Sequence, residues 1–66
     1  MNHQLYVNRR EKGLYQKDVA NKIGIHPQTY FRKEKGLMEF TIRESRLLAK
    51  ILDCTIDDLF SEKEVI

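Results

Sequence analysis

Gly24 and Pro27 close a two-residue gap inside the run QKDVANKIGIHPQTYFRKEK, residues 16–35, and nothing else in the chain restricts its fold as much. Glycine reaches positive φ without a steric penalty, which suits the residue that ends a helix. Proline has φ already set near the helical value and no N–H to leave unpaired, which suits the first turn of the next helix. Only Ile25 and His26 lie between, so two helices must meet at a sharp corner. Ahead of the corner, Val19, Ala20 and Ile23 fall on one helical face, with Gln16, Lys17, Asn21 and Lys22 turned outward. Beyond it, residues 27–35 carry Gln28, Thr29, Arg32, Lys33 and Lys35, and Tyr30 is the main residue fit for a core.

Sixty-six residues make one domain, 1–66, which by size buries only about 60% of the surface its unfolded chain exposes. Hydrophobic residues are 41% and charged ones 33%, a globular mixture, and one proline with three glycines favours helices over many short strands. Cys54 is alone, so no internal disulfide forms, and no Cys/His spacing matches a zinc site; no metal or cofactor is expected. Nor does the pattern hold a nucleophile with a positioned base, a carboxylate pair or a phosphate loop, so no enzyme is expected. No apolar run approaches a membrane span and no signal peptide opens the chain, so the expected setting is cytoplasmic, with no membrane partner. Charge is uneven: residues 1–36 hold eight bases against three acids, net +5, and residues 37–66 hold four against seven, net −3. A polyanion would orient such a molecule before touching it.

Gly13-Leu14, Gln16, Val19-Ala20, Ile23-Gly24, Thr29-Tyr30, Arg32, Glu34 and Gly36 together resemble the helix-turn-helix of the Cro and phage-repressor family, often called XRE. Leu52, Ile56, Asp57, Leu59 and Phe60 resemble its closing helices, so the likeness spans nearly the whole chain. It implies an all-α, compact five-helix lambda-repressor-like domain, with helices over about 2–12, 16–23, 27–35, 42–52 and 56–60 and the helix-turn-helix at 16–35. By function it implies a sequence-specific regulator of double-stranded DNA, with helix 27–35 in the major groove and a homodimer on two half-sites. The small size and the likeness suggest a repressor borne by a phage or mobile element, in a bacterial cytoplasm and on the nucleoid when bound. No small-molecule effector is inferred.

On that likeness Pro27, Gln28 and Arg32 are the base readers. Proline offers van der Waals contact alone, glutamine matches adenine N6 and N7, and arginine matches guanine O6 and N7. Gln16, Lys17, His26, Thr29, Lys35 and Arg43 are assigned to phosphates, and His26 also stands at the N-cap of its helix. Gln16 has a plainer reading, as a polar first-turn residue. Arg9 and Glu34 match a pair that ties the first helix to the end of the third; the other reading is two separately solvated charges. Four residues depart from the family pattern. Asn8 stands in place of an apolar residue, which weakens or bends the first helix, and Tyr15 in place of a hydroxyl cap. Phe31 stands at a polar position and Lys33 at an apolar one, where its stem is expected to be buried and its ammonium pushed to the surface. Phe31 either stacks on DNA or folds back over Lys33 or the following loop.

The rest of the chain reads locally. Leu5 and Tyr6 are expected to be buried in the first helix, Ile25 in the turn and Phe40 in the core. Thr41 with Glu44 and Thr55 with Asp58 are capping patterns. Ser45, Leu48, Ala49 and Leu52 form a core stripe, with Arg43, Arg46 and Lys50 outward. Asp53 ends that helix, Cys54 is a small buried residue, and Ile56, Leu59 and Phe60 close the core. Residues 61–66 read as a short tail whose Val65 and Ile66 are candidates for a subunit contact. A rival function is a protein-binding adaptor that docks partners through apolar Phe31, Leu37 and Met38.

Overall fold

Four helix starts are set by a side chain that takes up a free first-turn N–H group. The computed structural model describes residues 1–61 and holds α1 (His3–Glu11), α2 (Gln16–Ile23), α3 (Pro27–Glu34), α4 (Ile42–Ile51) and α5 (Ile56–Phe60), with no strand among the described residues. Asn2 Oδ1 accepts from Leu5 N–H at 3.0 Å to begin α1, and His26 Nδ1 accepts from Gln28 N–H at 3.2 Å to begin α3. Thr41 with Glu44 and Thr55 with Asp58 each exchange reciprocal bonds of 3.0 Å at the starts of α4 and α5. Tyr15 gives α2 no side-chain cap; instead its N–H donates to Asp18 Oδ2 at 2.8 Å. These caps trim the expected helices: Asn2, Lys12, Lys35 and Leu52 lie just outside the elements they were assigned to.

The corner between α2 and α3 is closed by Gly24 at φ 78° and ψ 31°, with Ile25 N–H reaching Ala20 O at 3.0 Å. A Cβ on Gly24 would meet nothing within 4 Å, so the backbone twist, and not crowding, requires glycine there. Asp53 makes the same left-handed stop after α4 at φ 56°, and Cys54 N–H then bonds Ala49 O at 2.9 Å.

Leu5, Val19, Ala20, Ile23, Tyr30, Leu48, Ala49, Leu52 and Leu59 are buried together in one cluster. α2 packs against both α3 and α4, while α5 packs against α1 and α4. Phe40, half-buried in the α3–α4 loop, sits between Tyr30 and Phe60 with ring centroids 5.8 and 5.6 Å away, tilted and edge-on respectively. Asn2 adds a polar tie across the same side, donating from Nδ2 to Leu59 O at 2.9 Å and from its backbone N–H to Glu34 O at 3.0 Å.

Several expected core positions differ. Ile56 is 41% exposed, because it opens a helix of only five residues and Leu59, three positions on, takes the inward place. Tyr6 is only half-buried: the guanidiniums of Arg9 and Arg10 lie 5.4 and 5.5 Å from its ring, and Arg10 donates to its hydroxyl at 2.9 Å. Ile25, Ser45 and Cys54 are also half-buried, and the Ser45 hydroxyl turns back to Thr41 O at 3.0 Å. Asn8 does not break α1, which runs uninterrupted from His3 to Glu11, and its amide donates to Gln4 O at 2.8 Å within the helix. The largest correction concerns Lys33. Its ammonium is not at the surface: the residue is 8% exposed, and Nζ lies 2.6 Å from Glu44 Oε1. A carboxylate within direct reach replaces water as its partner, and the Phe40 ring centre lies 5.8 Å from the ammonium. The expected subunit contact at Val65 and Ile66 lies outside the described residues.

Candidate DNA interface

At 3.6 residues per turn, Gln28, Arg32 and Lys35 recur on one side of α3 and its cap, and all three are exposed. Tyr30, Lys33 and Glu34 occupy the other side and are buried. Phe31 borders the outer face at 44% exposure, with the Lys35 ammonium 5.2 Å from its ring centre. The ring that lies near the Lys33 ammonium is that of Phe40. The helix thus shows solvent a row of amide, guanidinium and ammonium beside one aromatic ring.

Gln16, Lys17 and Pro27 come together with Tyr15 and Arg9 around an open cleft where the first turns of α2 and α3 face each other. Backbone N–H groups at such a turn favour an anion. Gln16 is not free at its tip: Nε2 donates to Glu34 Oε1 at 2.8 Å. A primary amide carries two N–H groups, so that bond fixes the amide and leaves one donor for a ligand. His26 is exposed, and because its Nδ1 accepts a hydrogen bond, the neutral ring carries its proton on Nε2. Thr29 is half-buried on α3. Arg43 is exposed in the first turn of α4, outside the cleft.

Beneath this surface Glu34 collects donors from three helices. Arg9 Nε donates to Oε2 at 2.9 Å and Nη2 to Oε1 at 3.1 Å, a two-point fork. Tyr30 Oη adds a bond of 2.8 Å to Oε2, alongside that of Gln16 to Oε1, and Arg9 Nη1 reaches on to Leu14 O at 2.9 Å. Burial by itself would push the Glu34 carboxyl up, but hydrogen bonds from Arg9, Gln16 and Tyr30 outweigh it and hold the group below the usual carboxylate range. Burial pushes the Tyr30 phenol far upward, and the Glu34 carboxylate adds to the rise. The acid is therefore ionised and the phenol neutral, which fixes every donor and acceptor in the cluster.

The arginine–glutamate pair follows from the resemblance, but the roles of Gln16 and Tyr30 in it were not read from the sequence. The four-residue spacing of Tyr30 and Glu34 is a signal for theirs; Gln16 gives none, since its partner is eighteen residues away. The tie made by Asn2 was likewise invisible, because both its partners lie at the far end of other helices.

Among the described residues no group of three or more His, Cys, Asp or Glu side chains is placed to hold a metal ion. No helix among them is long and apolar enough to cross a membrane. Burial first, then Asp58 and Asp53, raise the Cys54 thiol, the opposite of an activated nucleophile. A comparison with protein-family models matches residues 6–59 to a helix-turn-helix family. No curated protein and no solved structure matches the chain. With five helices in this order among the described residues, the α2–α3 corner at Gly24 and a family match over most of its length, the chain belongs to the XRE-type helix-turn-helix family of DNA-binding transcriptional regulators, the Cro and phage-repressor kind.

Proposed function

We propose that the protein reads a specific double-stranded DNA sequence by laying the outer face of α3 in the major groove, as a homodimer on two half-sites about one helical turn apart. The observation that carries this reading is the exposed row of Gln28, Arg32 and Lys35 on a helix whose opposite face is buried. Gln28 and Arg32 hydrogen-bond base edges, and Pro27 adds apolar contact at the start of the helix. Gln16, Lys17, His26, Thr29, Lys35 and Arg43 hold phosphates and set the register. The regulator is of the repressor kind carried by phages and mobile elements and works in a bacterial cytoplasm, a setting supported by resemblance to the Cro type.

Selection of bound duplexes from a random pool, at low and near-physiological salt, tests this reading. The expected result is a palindromic motif that Arg32→Ala blurs at one position, at a cost of about 1–3 kcal/mol there. Lys17→Ala is expected to weaken binding evenly over all sequences and to flatten the salt dependence. Binding without any motif, equally weakened by both changes, contradicts the assignment.

One observation favours a second reading as a protein-binding adaptor: Leu37 is 71% exposed and Met38 and Phe31 44% each. In that case charge reversal at Arg32 leaves function intact, and replacing the three apolar residues by serine abolishes it.

A further inference from the structure

We propose that the buried Lys33–Glu44 ion pair positions the reading helix against the start of α4, so that base contacts and phosphate contacts keep one register. The inference rests on the DNA-binding reading above. Along its backbone α3 packs extensively against α2 only. Besides Tyr30, which is buried in the shared core, two ion pairs tie α3 to the rest of the molecule: Glu34 to Arg9 on one side, and Lys33 to Glu44 on the other. Lys33 and Glu44 are 8% and 7% exposed, and Nζ to Oε1 is 2.6 Å. The same Oε1 accepts Thr41 N–H at 3.0 Å, so the lysine is bound to the atom that caps α4.

The neighbours of the pair give it meaning. Lys33 directly follows exposed Arg32, the proposed base reader, and Glu44 directly follows exposed Arg43, the proposed phosphate contact on α4. A rotation or slide of α3 relative to α4 stretches a contact of 2.6 Å between two buried charges. Apolar packing at the same place would tolerate small slips, because dispersion contacts are individually weak and non-directional. The ion pair therefore favours one pose of the helix over its neighbours, a gain in definition that need not appear as stability.

The test compares the protein with a doubly neutral variant, Lys33→Met with Glu44→Gln, which keeps the stem and the acceptor for Thr41 N–H, and with Lys33→Arg, which keeps the charge. Three quantities are read: unfolding midpoint, the angle between α3 and α4 from residual dipolar couplings, and the ratio of specific to random-sequence DNA affinity at fixed salt. The neutral variant is expected to fold with a similar midpoint, to show a shifted α3 axis, and to lose about tenfold in the affinity ratio with random-sequence affinity unchanged, as expected for one misplaced base contact. Lys33→Arg is expected to retain most of the ratio. A neutral variant that folds with an unshifted axis and an unchanged ratio overturns the proposal, as does one that lowers both affinities equally. If the unmodified protein selects no motif, the DNA reading fails; a shifted axis then still supports the positioning role, and an unshifted one removes it as well.

Discussion

Glu34 and Glu44 are both buried acids that hold α3 in place, yet they are built differently. Glu34 receives a planar two-point fork from Arg9 together with bonds from Gln16 and Tyr30, so each of its oxygens has two donors. Glu44 places one oxygen between a lysine ammonium and a backbone N–H. Burial pushes both carboxyls up, and in both the hydrogen bonds win and hold the group low. The first site joins α1, α2 and α3 through geometry that only these groups satisfy; the second joins α3 to α4 through a point charge that tolerates substitution. A buried charge is thus only as specific as the number and direction of its partners.

Removing the acid of the fuller site has the largest expected effect. Glu34→Ala strands the Arg9 guanidinium and is expected to cost about 3–5 kcal/mol, enough to unfold much of a domain whose total stability is of that order. Chemical denaturation by circular dichroism measures it, and a loss below about 1 kcal/mol would erase the distinction between the two acids. Next come the bases. Arg9→Lys gives up the fork and is expected to cost about 2 kcal/mol, whereas Lys33→Arg keeps a charge that needs only one contact and is expected to cost less than about 1 kcal/mol. Equal costs in the same assay would mean that fork geometry is irrelevant.

Acid sharpens the comparison more gently. Both carboxyls are lowered on folding, so their contribution is complete above the unfolded glutamate value of about 4.3 and fades as pH falls through the lower folded values. Stability followed from about pH 5 downward is expected to fall more steeply in the unmodified protein than in Glu34→Gln, with Glu44→Gln between them. The smallest effect serves as a control remote from both acids. Asp53→Gly relieves the left-handed residue at φ 56° and is expected to raise stability by about 0.5 kcal/mol without altering either acid's titration.

The parts legible in the sequence were those whose cause lies within four residues. Gly24 and Pro27 announced the corner, and Thr41 with Glu44 and Thr55 with Asp58 announced two helix starts, because a cap bonds to its own first turn. What escaped depends on distance along the chain. Lys33 and Glu44 are eleven residues apart across a loop, and no local pattern says that a lysine's ammonium turns inward to a capping glutamate. Ile56 differs from its sequence pattern for a related reason: its residue type fits a core, but a five-residue helix has room to bury only one turn's inner face. In the candidate interface, helical period alone groups Gln28, Arg32 and Lys35, while the inward bond of Gln16 needed the third dimension.

The shared burial of Lys33 and Glu44 also bears on how such a sequence can change by descent. A lineage that neutralises either residue alone passes through a form with one stranded charge, whereas the paired change to two neutral residues does not. An apolar seam and an ionic seam at this place are therefore separated by a valley that single neutralising substitutions cross only at a loss.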